Sequence, residues 1–239
     1  MEDTMKDVRS LRKTAVQDRT MDRIYLLFQI YVLCGVAGFV IETIWCWIDF
    51  GELTSRTSNL FFPISCVWGL GGVLLSIMTM NNRRENKGYI FIKCTVIGAA
   101  FEFLCGCLGE QILEVTFWDY SRMPLHIGKY INLPFCLVWG MIGVLWVWKI
   151  YPAVRQKMEK PLRNSRRNLV NLFLAFMIVS QAFTGAALLR MHERQNGQAA
   201  ESRMELFLDK CFTDQTLQSF FPKMKSTVTG EKIYVSSMN

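Results

Sequence analysis

Residues 24–48, IYLLFQIYVLCGVAGFVIETIWCWI, decide the fold class of this chain of 239 residues. The stretch carries one charged side chain, Glu42. It is longer than the roughly 20 apolar residues that a helix needs to cross a hydrocarbon core about 30 Å thick. It follows a charged leader, residues 1–23, and is too long for the apolar region of a cleavable signal peptide. We therefore predict a membrane-spanning helix that is retained in the mature protein.

Four further stretches have the same apolar character, and we expect spans near 60–80, 88–114, 131–150 and 169–189. The mean hydropathy of the whole chain, +0.19, is mild because it averages these spans with polar ends. Helices are expected because lipid offers no hydrogen-bond partner to an unpaired backbone group. The sequence thus predicts an all-α integral membrane protein of about five transmembrane helices, with a basic leader at 1–23, a transmembrane domain at 24–190 and a polar tail at 191–239.

The distribution of Lys and Arg predicts the orientation. The leader, the loop at 81–87 and the linker at 149–167 carry sixteen of them, whereas the two intervening loops carry three. By the positive-inside rule the amino terminus is cytoplasmic, and five crossings put the tail on the opposite side. Three arginines follow the last span: Arg190, Arg194 and Arg203. They argue weakly against a tail outside the cytoplasm. The net charge of +7 suits contact with anionic lipid, and no nucleic-acid-binding motif accompanies it.

Spans one and two resemble spans three and four. A glycine followed four residues later by a glutamate recurs, and so does a pattern of proline, tryptophan and glycines. The matched residues are Gly38, Glu42, Pro63, Trp68, Gly69 and Gly72 in the first half and Gly98, Glu102, Pro134, Trp139, Gly140 and Gly143 in the second. Both halves enter from the same side, so the pattern predicts a parallel duplicated helical hairpin.

The most informative residues are Glu42 and Glu102, because a carboxylate in the membrane costs about 2.5–3.5 kcal/mol on insertion scales. We expect them to face each other across the duplicated bundle. One interpretation is a pathway for a cation, a proton or a polar substrate; the other is a structural pair of hydrogen bonds between helices. Arg56 could partner Glu42 or Glu114, and the two tryptophans could pack or stack on a ligand. The candidate pathway residues are Glu42, Glu102, Glu110, Glu114, Arg56, Trp68, Trp139 and Asp119.

Other chemistry is not indicated. Eight cysteines contain no CxxC pair and no Cys/His spacing typical of zinc, and two histidines are too few for a metal site. No phosphate-binding loop, HExxH or GxSxG motif is present. We therefore expect no metal, no cofactor and no enzymatic activity. An intramembrane enzyme using Glu42, Glu102 and Arg56 ranks last, because nothing positions a nucleophile.

The tail has a helical apolar spacing. Met204, Phe207, Leu208, Cys211 and Phe212 recur every three or four residues. Thr213 can cap a second helix that carries Leu217, Phe220 and Phe221 and stops at Pro222. The pattern predicts two short amphipathic helices on the outer face; the alternative is a disordered tail.

Two stretches carry a family resemblance. GFVIETIW (38–45) with SRTSNLFFPISCVWGLGGVLL (55–75), and FEFLCGCLGEQILEVTFWDYSRMPLHIGKYINLPFCLVWGMIGV (101–144), resemble the CmpB-like permease family of ABC-transporter type IV, and the tail DKCFTDQTLQSFFPKMK (209–225) resembles that family's ending. The likeness covers roughly residues 25–225. Ser55-Arg56-Thr57 stands where many members have Asn-Arg-Gly, so only Arg56 carries over.

The resemblance implies a permease-like subunit in a bacterial plasma membrane. The partners it implies are the lipid bilayer, a separate ATPase subunit and further copies of the chain. A non-transporting membrane sensor or an assembly or scaffold protein is the alternative. Neither reading identifies a substrate.

Overall fold

The computed structural model describes residues 2–79, 85–158, 164–227 and 231–232, with side chains described from Met21 onward except at Phe50, Thr79, Met158 and residues 164–166. The protein is mostly helical. The helices are α1 Glu2–Phe50, α2 Cys66–Thr79, α3 Lys87–Leu113, α4 Leu133–Leu145, α5 Tyr151–Met158, α6 Asn164–Gln195, α7 Arg203–Cys211 and α8 Asp214–Phe220, with a π-helical turn at Trp146–Ile150 between α4 and α5. The short strands are β1 Val115–Thr116, β2 His126–Ile127, β3 Ile131–Asn132 and β4 Lys225–Ser226.

Four helical segments of the described chain are long and apolar enough to cross a membrane: Met21–Asp49, Lys87–Leu113, Leu133–Lys157 and Arg167–Gln195. Each begins or ends within a few residues of an expected span. The third runs through α4, the π-helical turn and α5. The chain is therefore a multi-pass helical membrane protein. The basic segments at 81–84 and 159–163, which carry part of the orientation prediction, lie outside the described residues.

The expected helix over 60–80 is wrong for its first six residues, because α2 begins only at Cys66. Its 14 residues cover about 21 Å, less than the thickness of the hydrocarbon core. The Ser65 N–H donates to the Gly35 carbonyl over 2.9 Å, and Gly35 lies at the middle of the span Met21–Asp49. A Cβ on Gly35 would stand 2.3 Å from Ile64 Cγ1, so only glycine lets the chain approach α1 this closely.

The non-helical segment 51–65 satisfies its polar backbone with its own side chains. Asn59 Oδ1 accepts hydrogen bonds from the backbone N–H groups of Phe61 and Phe62 over 2.8 and 3.0 Å. Ser58 Oγ donates to the Ile64 carbonyl over 3.1 Å. Irregular backbone is tolerated at membrane depth where it is buried in protein, and these side-chain bonds take the place of helical ones.

Two apolar clusters lie at opposite ends of the helices. The leader end is where α1 enters its span, α2 ends and α3 begins; its buried residues are Leu26, Ile30, Leu75, Ile90, Cys94, Trp146, Val147 and Tyr151. The loop end holds segments 51–65 and 114–132; its buried residues are Leu60, Val115, Ala187, Leu188, Met191, Leu208, Leu217, Phe221 and Met224. The second cluster joins α6 and the tail to both loops.

The tail folds back onto the loop end. Ser202 and Glu205 form a capping box at the start of α7, and Thr213 caps α8 by accepting from the Thr216 N–H. Strand β4 then pairs antiparallel with β1, which places the tail beside segment 114–132. The apolar residues predicted to form one stripe on α7 differ in burial. Leu208 is buried against α6, whereas Met204 and Phe207 are about half exposed.

Candidate functional site

The candidate site lies where the α1–α2 pair meets the α3–α4 pair. The rings of Trp68 on α2 and Trp139 on α4 have centroids 5.9 Å apart. Gly71 allows this approach, since a Cβ there would stand 2.9 Å from Trp139 Cη2. The two tryptophans that the sequence pattern matched to each other are therefore neighbours at the junction of the two pairs.

Glu42 has a partner on each carboxylate oxygen. Trp68 Nε1 donates to Oε1 over 2.6 Å, and Arg56 Nε donates to Oε2 over 3.0 Å. The Glu42 side chain is 28% exposed. Gly38, one turn earlier on α1, makes the arrangement possible, because a Cβ there would lie 2.1 Å from Trp68 Cγ. Glu42 thus forms a charge-assisted hydrogen bond with a cation and accepts a further hydrogen bond from an indole.

Glu102 is more deeply buried and less completely partnered. The residue is 8% exposed. Its Oε1 accepts a hydrogen bond from the Tyr120 hydroxyl over 2.5 Å, whereas Oε2 has no partner among the described residues. The Trp139 indole is a further donor that interacts with the Glu102 carboxyl. Its geometry does not meet the distance and angle of a hydrogen bond to Oε2. Gly98 makes room for this tryptophan, since a Cβ there would lie 2.4 Å from Trp139 Cγ.

The carboxyl groups of Glu42 and Glu102 and the hydroxyl of Tyr120 are close enough to affect one another electrostatically. Glu42 acts on Glu102 through its negative charge. Tyr120 lies in segment 114–132, outside the spans, and burial together with the Glu102 carboxylate raises its pKa well above the ordinary value. Glu42 raises that pKa further, and Arg56 lowers it. The Tyr120 hydroxyl therefore keeps its proton at physiological pH and serves as a donor to Glu102.

The other acidic candidates are engaged elsewhere at the loop end. Glu110 accepts from Lys129 Nζ and from the Tyr130 hydroxyl, both over 2.7 Å, and the hydrogen bond from Lys129 to Glu110 raises the pKa of that lysine. Glu114 ends α3 at a φ of 50°, with Oε2 4.0 Å from His192 Nδ1. Asp119 Oδ1 accepts from the Ser121 N–H over 2.8 Å. These contacts anchor segment 114–132 and do not bring the three acids to Glu42 and Glu102.

A polar contact between segment 51–65 and α6 was not foreseen from the sequence. Asn59 is 1% exposed, and its Nδ2 donates to Ser180 Oγ and Gln181 Oε1, both over 3.0 Å. The Leu60 N–H donates to Thr184 Oγ1 over 3.1 Å. Polar side chains inside the apolar stretch 169–189 are a detectable signal, but their partner lies more than a hundred residues earlier in the chain. Tyr120 was also missed, because a loop tyrosine is usually an interface anchor.

The same packing contacts recur at matched positions of the two helix pairs. A Cβ on Gly72 would stand 2.4 Å from Cys34 Sγ, and a Cβ on Gly143 would stand 2.4 Å from Cys94 Sγ. The two cysteines each precede the matched glycines of α1 and α3 by four residues. Among the residues with described side chains, no group of three or more His, Cys, Asp or Glu residues is arranged to hold a metal ion.

Comparison with known proteins adds one match. The model of the family described as "Putative ABC-transporter type IV" matches residues 29–185, which include both helix pairs, the candidate site and most of α6. No curated protein and no solved structure matches the chain significantly. The matched segment covers well over half of the chain. The protein therefore belongs to the family described as "Putative ABC-transporter type IV".

Proposed function

We propose that this protein is a permease-like membrane subunit of an ABC-type transport system, in which a separate ATPase subunit supplies the energy. The family match and the four apolar helices support a membrane role of this kind. The observation that carries the proposal is Glu102, a buried carboxylate inside the bundle with one oxygen unpartnered among the described residues. Carboxylates held inside membrane domains usually serve substrate, ion or proton movement.

The architecture proposed is five crossings that contain a parallel duplicated hairpin. In the second crossing, α2 would cover the half toward the leader end and segment 51–65 the half toward the loop end. Discontinuous crossings of this kind are typical of transporter binding regions. The repeated contacts of Gly38 with Trp68 and of Gly98 with Trp139 support the duplication, because matched glycines accept matched tryptophans.

The orientation proposed is a cytoplasmic amino terminus in a bacterial plasma membrane. Its support is the excess of Lys and Arg on the leader side. Arg190 and Arg194, which counted against an external tail, pair with Asp209 and Asp214. Because aspartates of the tail neutralise these two arginines, the arginines count less in the comparison of positive charge on the two sides of the membrane. Helix α1 continues through residues 2–20 beyond its span, about 28 Å of helix that could contact an ATPase or another copy of the chain.

The pathway proposed runs through the junction of the two helix pairs. Its residues are Glu42, Glu102, Arg56, Trp68 and Trp139, to which Tyr120 is now added. Glu110, Glu114 and Asp119 are assigned to the loop end, where they hold segment 114–132. No catalytic role is proposed for any of them.

One observation favours the second candidate, a non-transporting sensor or assembly protein. Both carboxylate oxygens of Glu42 accept hydrogen bonds, as they would if Glu42 only held neighbouring helices together. The two functions differ in their partners, since only a transport subunit needs an ATPase.

The deciding experiment isolates the tagged full-length protein from its own membrane after mild cross-linking and identifies its partners by mass spectrometry. We expect an ATPase subunit whose ATP hydrolysis rises when both proteins are reconstituted in lipid. Glu102→Gln should keep the complex and lose that stimulation. An unrelated multi-pass protein with the same tag is the control for chance capture. Cross-linked complexes that contain copies of the chain or a signalling protein, without an ATPase, would overturn the proposal in favour of the second candidate.

A further inference from the structure

The two matched glutamates differ in how their charge is compensated. Glu42 is bonded to a guanidinium and an indole and is partly exposed. Glu102 has only neutral donors: the Tyr120 hydroxyl bonds Oε1 and the Trp139 indole also interacts with the carboxyl. Its Oε2 has no hydrogen-bond partner among the described residues, and the residue is more than nine-tenths buried. The duplicated pattern has thus produced two acids in equivalent positions with different surroundings.

This difference affects which acid can hold a proton. Burying an ionised carboxylate is costly unless a cation or several donors compensate it, and protonation removes that cost. Arg56 compensates Glu42 through a charge-assisted hydrogen bond. A second negative charge in the same low-dielectric site is further disfavoured by the first. Glu102 is therefore the acid of the pair that gains more from binding a proton.

Within the part of the chain whose side chains are described, the other groups around Glu102 supply no free cation. Tyr120 reaches it from segment 114–132, Trp139 and Cys136 from α4, and Cys105 from α3 itself, with Cys66 of α2 close to Cys105. None of these side chains carries a positive charge. The charged groups that act here are Glu42 from α1 and Arg56 from segment 51–65, and Arg56 is bonded to Glu42.

We propose that Glu102 is a proton-binding site of the membrane domain, whereas the matched Glu42 is held in an ion pair with Arg56. The proton sits on the carboxyl while Oε2 is closed to water and leaves when water or a polar substrate group reaches that oxygen. The use of this proton for coupling rests on the proposed transport function; the binding of the proton does not. A negative result in the ATPase experiment would therefore leave this inference standing.

A hydrophobic carbodiimide, dicyclohexylcarbodiimide, tests the proposal on the full-length protein in lipid nanodiscs. A protonated carboxyl adds across one C=N bond of the reagent: its proton goes to nitrogen and its oxygen bonds the central carbon. Transfer of the acyl group from that oxygen to nitrogen then gives a stable N-acylurea, with nothing released and nothing oxidised. Intact mass and peptide mapping should show one adduct, at Glu102. Its yield should fall as the pH rises, because the ionised carboxylate does not react.

Four variants sharpen the test. Glu102→Gln should lose the adduct, and Glu42→Gln should retain it. Tyr120→Phe removes the donor that stabilises the ionised form, so labelling should persist to higher pH. Arg56→Gln leaves Glu42 without its cation and should add a second adduct at Glu42.

Infrared difference spectra provide a measurement that does not depend on access of the reagent. Between high and near-neutral pH, where exposed Asp and Glu side chains stay ionised, a protonated-carboxyl C=O band should appear in the wild-type protein and be missing from Glu102→Gln. Labelling of Glu42 in preference to Glu102 in the wild-type protein would overturn the proposal. So would the absence of both the adduct and the band at every pH at which the protein stays folded.

Discussion

Arg190 and Asp209 form a two-point ion pair that fastens α7 to the end of α6. Arg190 Nε and Nη2 donate to the two Asp209 oxygens over 2.9 and 3.0 Å, and the arginine side chain is 3% exposed. Arg194 Nη1 donates to Asp209 Oδ1 over 2.6 Å. The planar guanidinium fits a carboxylate in this way, which lysine does not. The last span and the tail are thus joined by charge as well as by the apolar cluster.

The first prediction is that the tail is held by Asp209 over a wide pH range. Asp209→Asn should speed proteolysis within residues 201–221 severalfold, because one asparagine cannot bond the arginines as a carboxylate does. The hydrogen bond from Arg190 lowers the pKa of Asp209. Its contribution to docking is therefore complete above the ordinary aspartate pKa, about 3.9, and is lost as the pH falls through the lowered value.

Limited proteolysis and hydrogen exchange in lipid nanodiscs measure this docking. Protection of α7 and α8 should stay constant from neutral pH down to about pH 4 and fall below it. Lys210→Ala, which changes an exposed side chain of α7, is the control and should change nothing. Rapid cleavage throughout 201–221 in the wild-type protein would contradict an ordered tail.

The second prediction concerns orientation. Reporter fusions after Arg84 and Arg163 should be active in the cytoplasm, and a fusion after Met123 should be active outside, because Lys and Arg concentrate on the leader side. Membrane-impermeant thiol labelling of intact cells, at single cysteines placed in the tail, tests the last crossing and should label them. A cytoplasmic signal at Met123 would reverse the proposed topology.

The third prediction compares glycines at close contacts with one in open space. Gly38→Ala and Gly98→Ala would place a Cβ 2.1 and 2.4 Å from tryptophan Cγ atoms, so each should destabilise the fold by about 1–3 kcal/mol through overpacking. Gly185→Ala on α6 meets no atom of the described residues within 4 Å and should be neutral or slightly stabilising, because alanine favours helix. Thermal unfolding in detergent measures the difference. Equal effects at all three positions would contradict the close packing of the two helix pairs.

The fourth prediction tests the attachment of segment 51–65 to α6. Asn59→Ala removes the bonds to Ser180 and Gln181 and leaves two backbone N–H groups without an acceptor, which should cost about 1–3 kcal/mol. Asn196→Ala changes an exposed asparagine at the end of α6 and should cost little. Hydrogen exchange of residues 57–65 reports the loosening directly. Unchanged exchange in Asn59→Ala would mean that packing alone holds the segment.

The fifth prediction separates structural from functional roles of the two acids. Gln keeps the size and much of the hydrogen bonding of Glu while it removes the charge. If the acids are structural, Gln should be tolerated at both positions and Ala should lower the yield of folded protein. If they are functional, Gln should fold normally and lose the stimulation of the partner ATPase. Size-exclusion profiles and ATP hydrolysis distinguish the two outcomes.

Cross-linking tests the prediction that Glu42 and Glu102 face each other across the bundle. Cysteines placed at both positions, in a background without the native cysteines, should be joined by a bifunctional thiol reagent. Cysteines at 42 and 123 provide the control for chance linkage. Failure to link 42 and 102 with reagents of any length would end the pairing hypothesis.

The sequence by itself determined the features that depend on local chain properties. Apolar length placed the helices, since a span must cover the hydrocarbon core whatever it packs against. The matched Gly-x3-Glu and Trp-Gly patterns pointed to Glu42, Glu102, Trp68 and Trp139 before any contact was known. The length of an apolar stretch did not reveal where α2 begins, because Thr57, Ser58 and Asn59 supply hydrogen bonds that replace those of a helix.

Only the tertiary structure decided how the polar groups are partnered. Arg56 could have reached Glu42 or Glu114, and the path of segment 51–65 across α1 selects Glu42. Tyr120 is the donor to Glu102 because segment 114–132 folds back over α3. Asn59 meets α6, and Asp209 meets Arg190, across long separations in the chain. Periodicity and spacing describe one segment at a time, whereas the energy of a buried polar group depends on which other segment supplies its partner.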